Sequence, residues 1–354
     1  MKYKIVNLNT STDKNPKSSV LIIYTGGTFG MAVDESGALA PFNFSLVVDK
    51  IPELKAFDLR ITVISFPAPE DSSNINSKHW IDIGYIIHEN YSQYDGFVVL
   101  HGTDTMAYSA SALSYMLEGL SKPVIFTGAQ IPIGFLRSDA RENLIMALEI
   151  ASAKIDDKPI INEVCVYFNF FLLRGNRSQK LHSSTFAAFE SENYPKLAES
   201  GVFIEYNHAY IRKHVDGATL KLHSKFDNNV AVIKLYPGIS RSVLEQIFAT
   251  PGLRAVLLET FGSGNTMKHD WFLEILRKAN SDGIILYNVS QCVGGKVIQG
   301  RYETSKLLSD IGVLSGADIT TEAAITKLMF LLGTESSTER VKDLLIRPIR
   351  GEMT

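Results

Sequence analysis

Up to about position 180, short apolar and β-branched runs alternate with amphipathic stretches, the pattern of βαβ units on a largely parallel sheet. Candidate strands cover 20–24, 61–65, 97–100, 124–127 and 164–168. Between them Met106, Ala110, Leu113, Leu117 and Leu120 recur at steps of four and three and predict one face of a helix. Asp139 with Glu142 three residues later reads as a capping box opening a second helix, whose apolar face carries Leu144, Leu148 and Ala151. Both helices are expected to pack on the sheet.

From 207 to 228 the chain turns polar, with His208, Arg212, Lys213, His214, Asp216, Gly217 and Lys221, and apolar periodicity weakens. A fresh βα alternation begins at 230–236 and continues through 255–259 and 284–289. The pattern divides the chain into a polar leader (1–17), an N-terminal domain (18–206), a linker (207–228) and a smaller C-terminal domain (229–354). No internal repeat or low-complexity tract is visible.

Composition narrows the classes. At about 150 residues per domain, 354 residues give about 2.4 domains, with ample core. Apolar residues at 45% and charged residues at 21% argue for a folded chain. The 35 Lys and Arg against 38 Asp and Glu leave a net charge of −3, without the run of like charges that marks a nucleic-acid or anionic-membrane patch. No apolar stretch approaches the roughly 18 residues of a membrane span, and the polar leader lacks the apolar region of a secretory signal. A cytoplasmic protein is expected, with no nucleic-acid or membrane partner. Cys165 and Cys292 are then expected to remain unpaired thiols. His88-Glu89 lacks the second His that a zinc helix supplies four residues on, so no metal site is expected.

Ligands of an open parallel sheet bind beyond the carboxyl ends of its strands, and four such loops here are rich in reactive side chains. They hold Thr25-Gly26-Gly27-Thr28, Asp71-Ser72-Ser73, His101-Gly102-Thr103-Asp104-Thr105 and Arg174-Gly175-Asn176-Arg177 leading to Lys180. Glycines before a hydroxyl residue let the backbone approach a ligand and aim N–H groups at an anion or a developing oxyanion. The Gly26-Gly27-Thr28-Phe29-Gly30 run matches neither a dinucleotide fingerprint nor a P-loop. Thr103 and Asp104 fit helix capping as well as catalysis, and Asp71-Ser72-Ser73 fits an Asx turn as well as a binding loop. Lys180 suits either a solvated surface or a dry site in which a lowered pKa makes it a base.

These runs resemble the bacterial-type L-asparaginases, in particular the cytosolic type I branch. Gly128-Ala129-Gln130-Ile131-Pro132, Arg137-Ser138-Asp139, Tyr236-Pro237-Gly238-Ile239-Ser240 and Ser290-Gln291-Cys292 extend the resemblance in order over about 18–352. It implies an α/β fold: a larger N-terminal domain with a mainly parallel, flavodoxin-like sheet, and a smaller Rossmann-like C-terminal α/β domain. It also implies hydrolysis of the side-chain amide of L-asparagine to aspartate and ammonia through an acyl-threonine ester, without a cofactor. By position, Thr28 is the nucleophile, while Thr103, Asp104 and Lys180 form a second constellation with Lys180 as proton acceptor. Ser72 with neighbouring backbone amides takes the substrate carboxylate, Asp71 and Ser73 complete that loop, and Asp104 takes its ammonium. Gly27 lines the site, backbone N–H groups beside Thr103 and at Ala129 serve as oxyanion donors, and Asn265 comes from a neighbouring subunit. A homodimer, commonly doubled to a tetramer, follows. Weaker action on glutamine is an accompanying expectation of the resemblance; the one extra methylene, worth only ~1–3 kcal/mol, does not set the ratio.

Two departures stand out. A Tyr that the family carries some ten residues after the nucleophile is replaced by Ala38, leaving Phe42 or Phe44 as an apolar lid, or Tyr302 as the hydroxyl that activates Thr28. An effector site for asparagine in some type I enzymes uses the Cys matched by Cys292; its Thr and Arg are Gln179 and Glu259 here. A carboxylate in place of a cation repels an effector carboxylate, so hyperbolic kinetics are expected. The competing readings are a noncatalytic amino-acid sensor on the same fold and a transamidation-linked amidase subunit. The latter needs an added N-terminal domain, for which the stretch before the first expected strand is too short.

Overall fold

The structure, a computed structural model, describes residues 3–9, 16–33, 39–41, 51, 53–54, 57–215, 217–300 and 303–354. The chain separates into two compact units, Met1–Ser224 and Lys225–Thr354.

The first unit is built on a nine-stranded sheet. Its strands are β1 (Lys4–Asn9), β2 (Ser18–Gly26), β3 (Leu59–Glu70), β4 (Gly96–Leu100), β5 (Val124–Thr127), β6 (Val164–Phe168), β7 (Phe171–Arg174), β8 (Ala198–Ser200) and β9 (Ile204–Tyr206). They lie in the order β1-β3-β2-β4-β5-β6-β7-β8-β9. The run from β3 to β6 is parallel, and antiparallel pairing extends it at both edges. Strands β2, β4, β5 and β6 are buried along their whole length, which explains why they read as continuous apolar runs.

Three helices cover this sheet: α1 (Ser77–Asn90), α2 (Met106–Met116) and α3 (Ala140–Ser152). In α1 the Asn76 side chain accepts from Lys78 N–H while His79 Nδ1 accepts from Asn76 N–H, a reciprocal cap. Trp80, Ile83 and Ile87 bury one face of that helix. In α3 the expected apolar positions Leu144, Leu148 and Ala151 are buried.

Helix α2 ends at Met116, short of the expected Leu120. Leu117–Glu118 turns away to pair with Lys221–Leu222, and Gly119 follows at φ +74°. Almost every residue of α2 is buried, including Ser109, Ser111 and Ser114, so it has no solvent face.

The expected capping box of α3 does not form: the Asp139 side chain accepts no capping bond from the N–H groups of the helix's first turn. Its carboxylate is drawn instead to the backbone N–H groups of Gln130 and Ile131. The stretch read as a polar leader also contains structure, since β1 pairs antiparallel with β3 from Lys4↔Ser65 to Asn9↔Arg60. An edge strand keeps polar side chains in water, and its apolar periodicity is correspondingly weak.

The second unit holds a four-stranded parallel sheet, β10 (Val230–Lys234), β11 (Ala255–Thr260), β12 (Ile285–Ser290) and β13 (Leu314–Ser315), in that order. Helices α4 (Arg241–Phe248), α5 (Asp270–Ser281), α6 (Glu303–Ile311), α7 (Thr321–Thr334) and α8 (Thr338–Leu345) belong to it. Val256, Leu258, Phe272, Leu276 and Leu286 centre its core. Beside them lies a fully buried ion pair, Lys327 Nζ to Glu352 Oε1 at 2.6 Å. Lys327 also donates to the carbonyls of Leu345 and Arg347, while the Glu352 carboxylate accepts from Ile349 and Arg350 N–H. Among the described residues no helix is long and apolar enough to cross a membrane.

Candidate active site

The carboxyl ends of β2, β3 and β4 are brought together by the smallness of two residues. Gly27 follows β2 at φ +80°, and a β-carbon there would collide with the backbone of Gly102. A β-carbon on Gly102 would in turn lie 2.6 Å from Ser72 Oγ. Gly27 N–H donates to Glu70 O at 3.0 Å, and the Thr105 hydroxyl donates to Ser72 O at 2.7 Å. The three loops therefore interlock, and Thr28, Ser72 and Thr103 each sit at or one residue beyond the crossing.

The loop after β3 is an Asx turn. Asp71 Oδ1 accepts from the N–H and the hydroxyl of Ser73, at 2.9 and 2.7 Å, which hold the Asp71 carboxyl below its ordinary range. Ser72 is buried at the start of a short 3₁₀ turn, whereas Asp71 and Ser73 are exposed.

Lys180 enters from the short strand Gln179–Lys180, which pairs with Phe189–Glu190. Its ammonium donates to Thr103 Oγ1 at 2.7 Å and to Asp104 Oδ1 at 2.6 Å. The Lys180 side chain is 15% exposed and that of Asp104 65%, so the cation is shielded while the carboxylate faces outward. Neither Thr103 nor Asp104 caps α2. The cap position is Thr105, and its hydroxyl is directed to Ser72.

The loop after β5 supplies Ala129, buried, and Gln130, half-buried. Thr103 Oγ1 donates to Gln130 Oε1 at 3.3 Å, and Gln130 Nε2 donates to the carbonyls of Ser183 and Thr185 at 3.2 and 3.0 Å. Neither Gln130 nor its anchors, Asp139 and Asn143, stood out as functional in the sequence. The position of Gln130 three residues past the end of a parallel strand was the available signal.

His101 is fully buried behind the site. Trp80 Nε1–H donates to Ser109 Oγ at 2.9 Å, Ser109 Oγ lies 2.9 Å from His101 Nε2, and His101 Nδ1 lies 2.7 Å from Gly102 O. Since a carbonyl only accepts, the ring proton belongs on Nδ1, and Ser109 donates to Nε2. Burial pushes the His101 pKa down to about 4, so this imidazole is neutral near pH 7.

Tyr302, Ala38, Phe42 and Phe44 lie outside the described residues. Asn265, Glu259 and Cys292 belong to the second unit, and Gln179 to the first. Asn265 closes a tight turn in which Phe261 and Asn265 exchange backbone hydrogen bonds. Glu259 Oε1 accepts from the Thr321 hydroxyl at 2.7 Å, with Lys234 Nζ 3.9 Å from Oε2. Cys165 and Cys292 are unpaired thiols, the first buried and the second exposed.

Fold and site together define a two-domain α/β protein that gathers threonine, lysine and aspartate side chains at the carboxyl edge of a parallel sheet. The chain belongs to the asparaginase family: residues 19–212 match the family "Asparaginase, N-terminal" and residues 229–345 the "Glutaminase/Asparaginase C-terminal domain". It is 41% identical to L-asparaginase 1 of Escherichia coli strain K12, over 96% of this chain and 98% of that protein. The crystal structure of L-asparaginase I from Vibrio cholerae O1 biovar eltor superposes with a TM-score of 0.86 at 41% identity, covering 95% of this chain and 99% of that one. The thermostable L-asparaginase of Thermococcus kodakarensis gives 0.87 at 31% identity over the same 95% and 99%.

Proposed function

We propose that the chain is an L-asparaginase, hydrolysing the side-chain amide of free L-asparagine to L-aspartate and ammonia, with weaker action on L-glutamine. The observation that carries this reading is the Lys180 ammonium held at once on Thr103 and Asp104 at the crossing of the glycine-bearing loops. Thr28 Oγ1 attacks the amide carbon, and the tetrahedral intermediate collapses to an acyl-threonine ester with loss of ammonia. Water, positioned by Thr103 with Lys180 as proton acceptor, then cleaves the ester and restores Thr28. A hydroxyl is a poor nucleophile near neutral pH without such a base in hydrogen-bond reach. Backbone N–H groups beside Thr103 and at Ala129 receive the oxyanion.

Recognition rests on charge at both ends of the amino acid. Asp104, exposed toward solvent, takes the α-ammonium, and Ser72 with neighbouring backbone amides, on the turn that Asp71 closes onto Ser73, takes the α-carboxylate. A ligand lacking the α-ammonium forgoes the Asp104 contact and one lacking the α-carboxylate leaves the donors around Ser72 unmet, so free amino acids are favoured over peptide amides. Tyr302 is the candidate hydroxyl for activating Thr28, and Asn265 the residue given to a neighbouring copy in a homodimer or dimer of dimers. The reaction draws on the threonine and lysine side chains and on backbone amides, with no cofactor, in the cytoplasm.

The test is ammonia release from asparagine and glutamine in parallel, with Thr28→Ala as control. Release by the wild type and its loss in the variant support the reading. Binding of asparagine without release makes the protein an amino-acid sensor instead.

A further inference from the structure

We infer that Gln130 is a positioning residue for this reaction, fixing which way the Thr103 hydroxyl points and thereby when Lys180 can act on it; the inference rests on the asparaginase reading. Its starting point is the orientation of one amide. Gln130 Nε2 faces two backbone carbonyls, of Ser183 and Thr185, which can only accept. Oε1 must then face Thr103, and the single hydroxyl proton of Thr103 must be the one donated across that 3.3 Å contact. The Thr103 oxygen is left to accept from Lys180. Proton donation thus runs one way, from Lys180 to Thr103 to Gln130 to the 183–185 backbone.

The amide is held firmly. The Asp139 carboxylate accepts from Gln130 N–H at 3.0 and 3.1 Å and from Ile131 N–H at 3.0 Å. Asn143, buried, donates from Nδ2 to Gly128 O at 3.0 Å and to Asp139 Oδ2 at 3.2 Å. Ser138 Oγ donates to Ile131 O at 2.8 Å. The loop backbone is pinned on both sides of Gln130, and the helix cap that Asp139 forgoes is what supplies the pin.

In this wiring Lys180 is the donor and Thr103 the acceptor. For Lys180 to accept a proton by way of Thr103, it must be neutral and the hydroxyl must turn from Gln130 toward Nζ. Among the described residues Asp104 is the carboxylate at ion-pair distance from Lys180. Across the strand pair Lys180 faces Phe189, and His182, the titratable residue of the following loop, is exposed. Gln130 is therefore the neutral group that decides the hydroxyl's direction.

Two near-isosteric substitutions separate its roles. Gln130→Met removes the acceptor and frees the hydroxyl for neutral Lys180. Gln130→Glu keeps an acceptor, adds negative charge near the ammonium and sets a carboxylate against two carbonyls. The acid limb of kcat/KM is expected to move down in Gln130→Met and up in Gln130→Glu, each by about half a pH unit or more. Turnover should fall about threefold or more in both, with KM changed less. Hydrogen–deuterium exchange across 181–187 should accelerate in both variants, with melting temperature confirming that they fold.

Limbs that move in the same direction, or stay in place, overturn the inference, as does unchanged exchange. A wild type that releases no ammonia strikes the asparaginase reading itself. The exchange comparison then still judges whether Gln130 holds the loop.

Discussion

Lys180 Nζ sits 2.7 Å from Thr103 Oγ1, close enough that one proton decides which of the two is the donor. Donation by the ammonium leaves Thr103 without a base, and a neutral amine provides one. Lys180→Met keeps the stem and removes that choice. Its kcat for asparagine should fall by ~10²–10⁴-fold, the range of general acid–base catalysis, with a smaller change in KM. Steady-state ammonia release measures it, and a fall below about tenfold contradicts the role.

The buried imidazole of His101 predicts a pH-dependent stability. Its pKa is pushed down to about 4 in the folded chain, against an ordinary 6.5, so between those values the unfolded chain binds the extra proton. Stability is fully retained above pH 6.5 and is lost as the pH falls through this window, by about 2 kcal/mol at pH 5. His101→Gln should flatten the dependence of urea midpoints between pH 7 and pH 5. Equal slopes for variant and wild type would remove His101 as the cause.

Lys327 and Glu352 pair with both side chains fully buried. Burial pushes the Lys327 pKa down, and the Glu352 carboxylate beside it works in the opposite direction. Removing one partner strands the other charge without water, so Lys327→Met should cost about 3–5 kcal/mol. Chemical denaturation of the full chain reads this directly; a loss under about 1 kcal/mol would show that Glu352 simply protonates.

Glu259 carries a further expectation, about regulation. Its carboxylate is bonded to Thr321 and lies near Lys234, and is expected from the sequence to repel an effector carboxylate. Initial rates against asparagine should follow a hyperbola. A sigmoidal curve that becomes hyperbolic in Glu259→Ala would show that an effector site works despite the carboxylate.

The core strands were legible because parallel strands buried on both faces leave unbroken apolar runs, as 97–100 and 164–168 do. The antiparallel strands past Phe168 were not: they span only a few residues, and their first hairpin turns at Asn169 and Phe170 in the left-handed region without a glycine. Helix α1 carries a chemically ordinary cap, and Leu117 and Leu120 continue the helical spacing of α2 past the point where pairing with Lys221–Leu222 ends the helix. For the site, Thr103, Asp104 and Lys180 stood out by residue type and position after strands. Gln130 and Asp139 did not, because their importance lies in where a neutral amide and a capping carboxylate point, and spacing along a chain carries no such direction.

The interlocked glycines carry a consequence for how this catalyst can diverge. At Gly27 any side chain would meet the Gly102 backbone, and at Gly102 it would meet Ser72. Mutation therefore has almost no vocabulary at the hub itself. Variation in substrate range must enter through side chains mounted around it, such as the exposed Ser73 and Asp104 or the half-buried Gln130. Libraries aimed at altered amide preference should randomise that outer ring and leave the hub untouched.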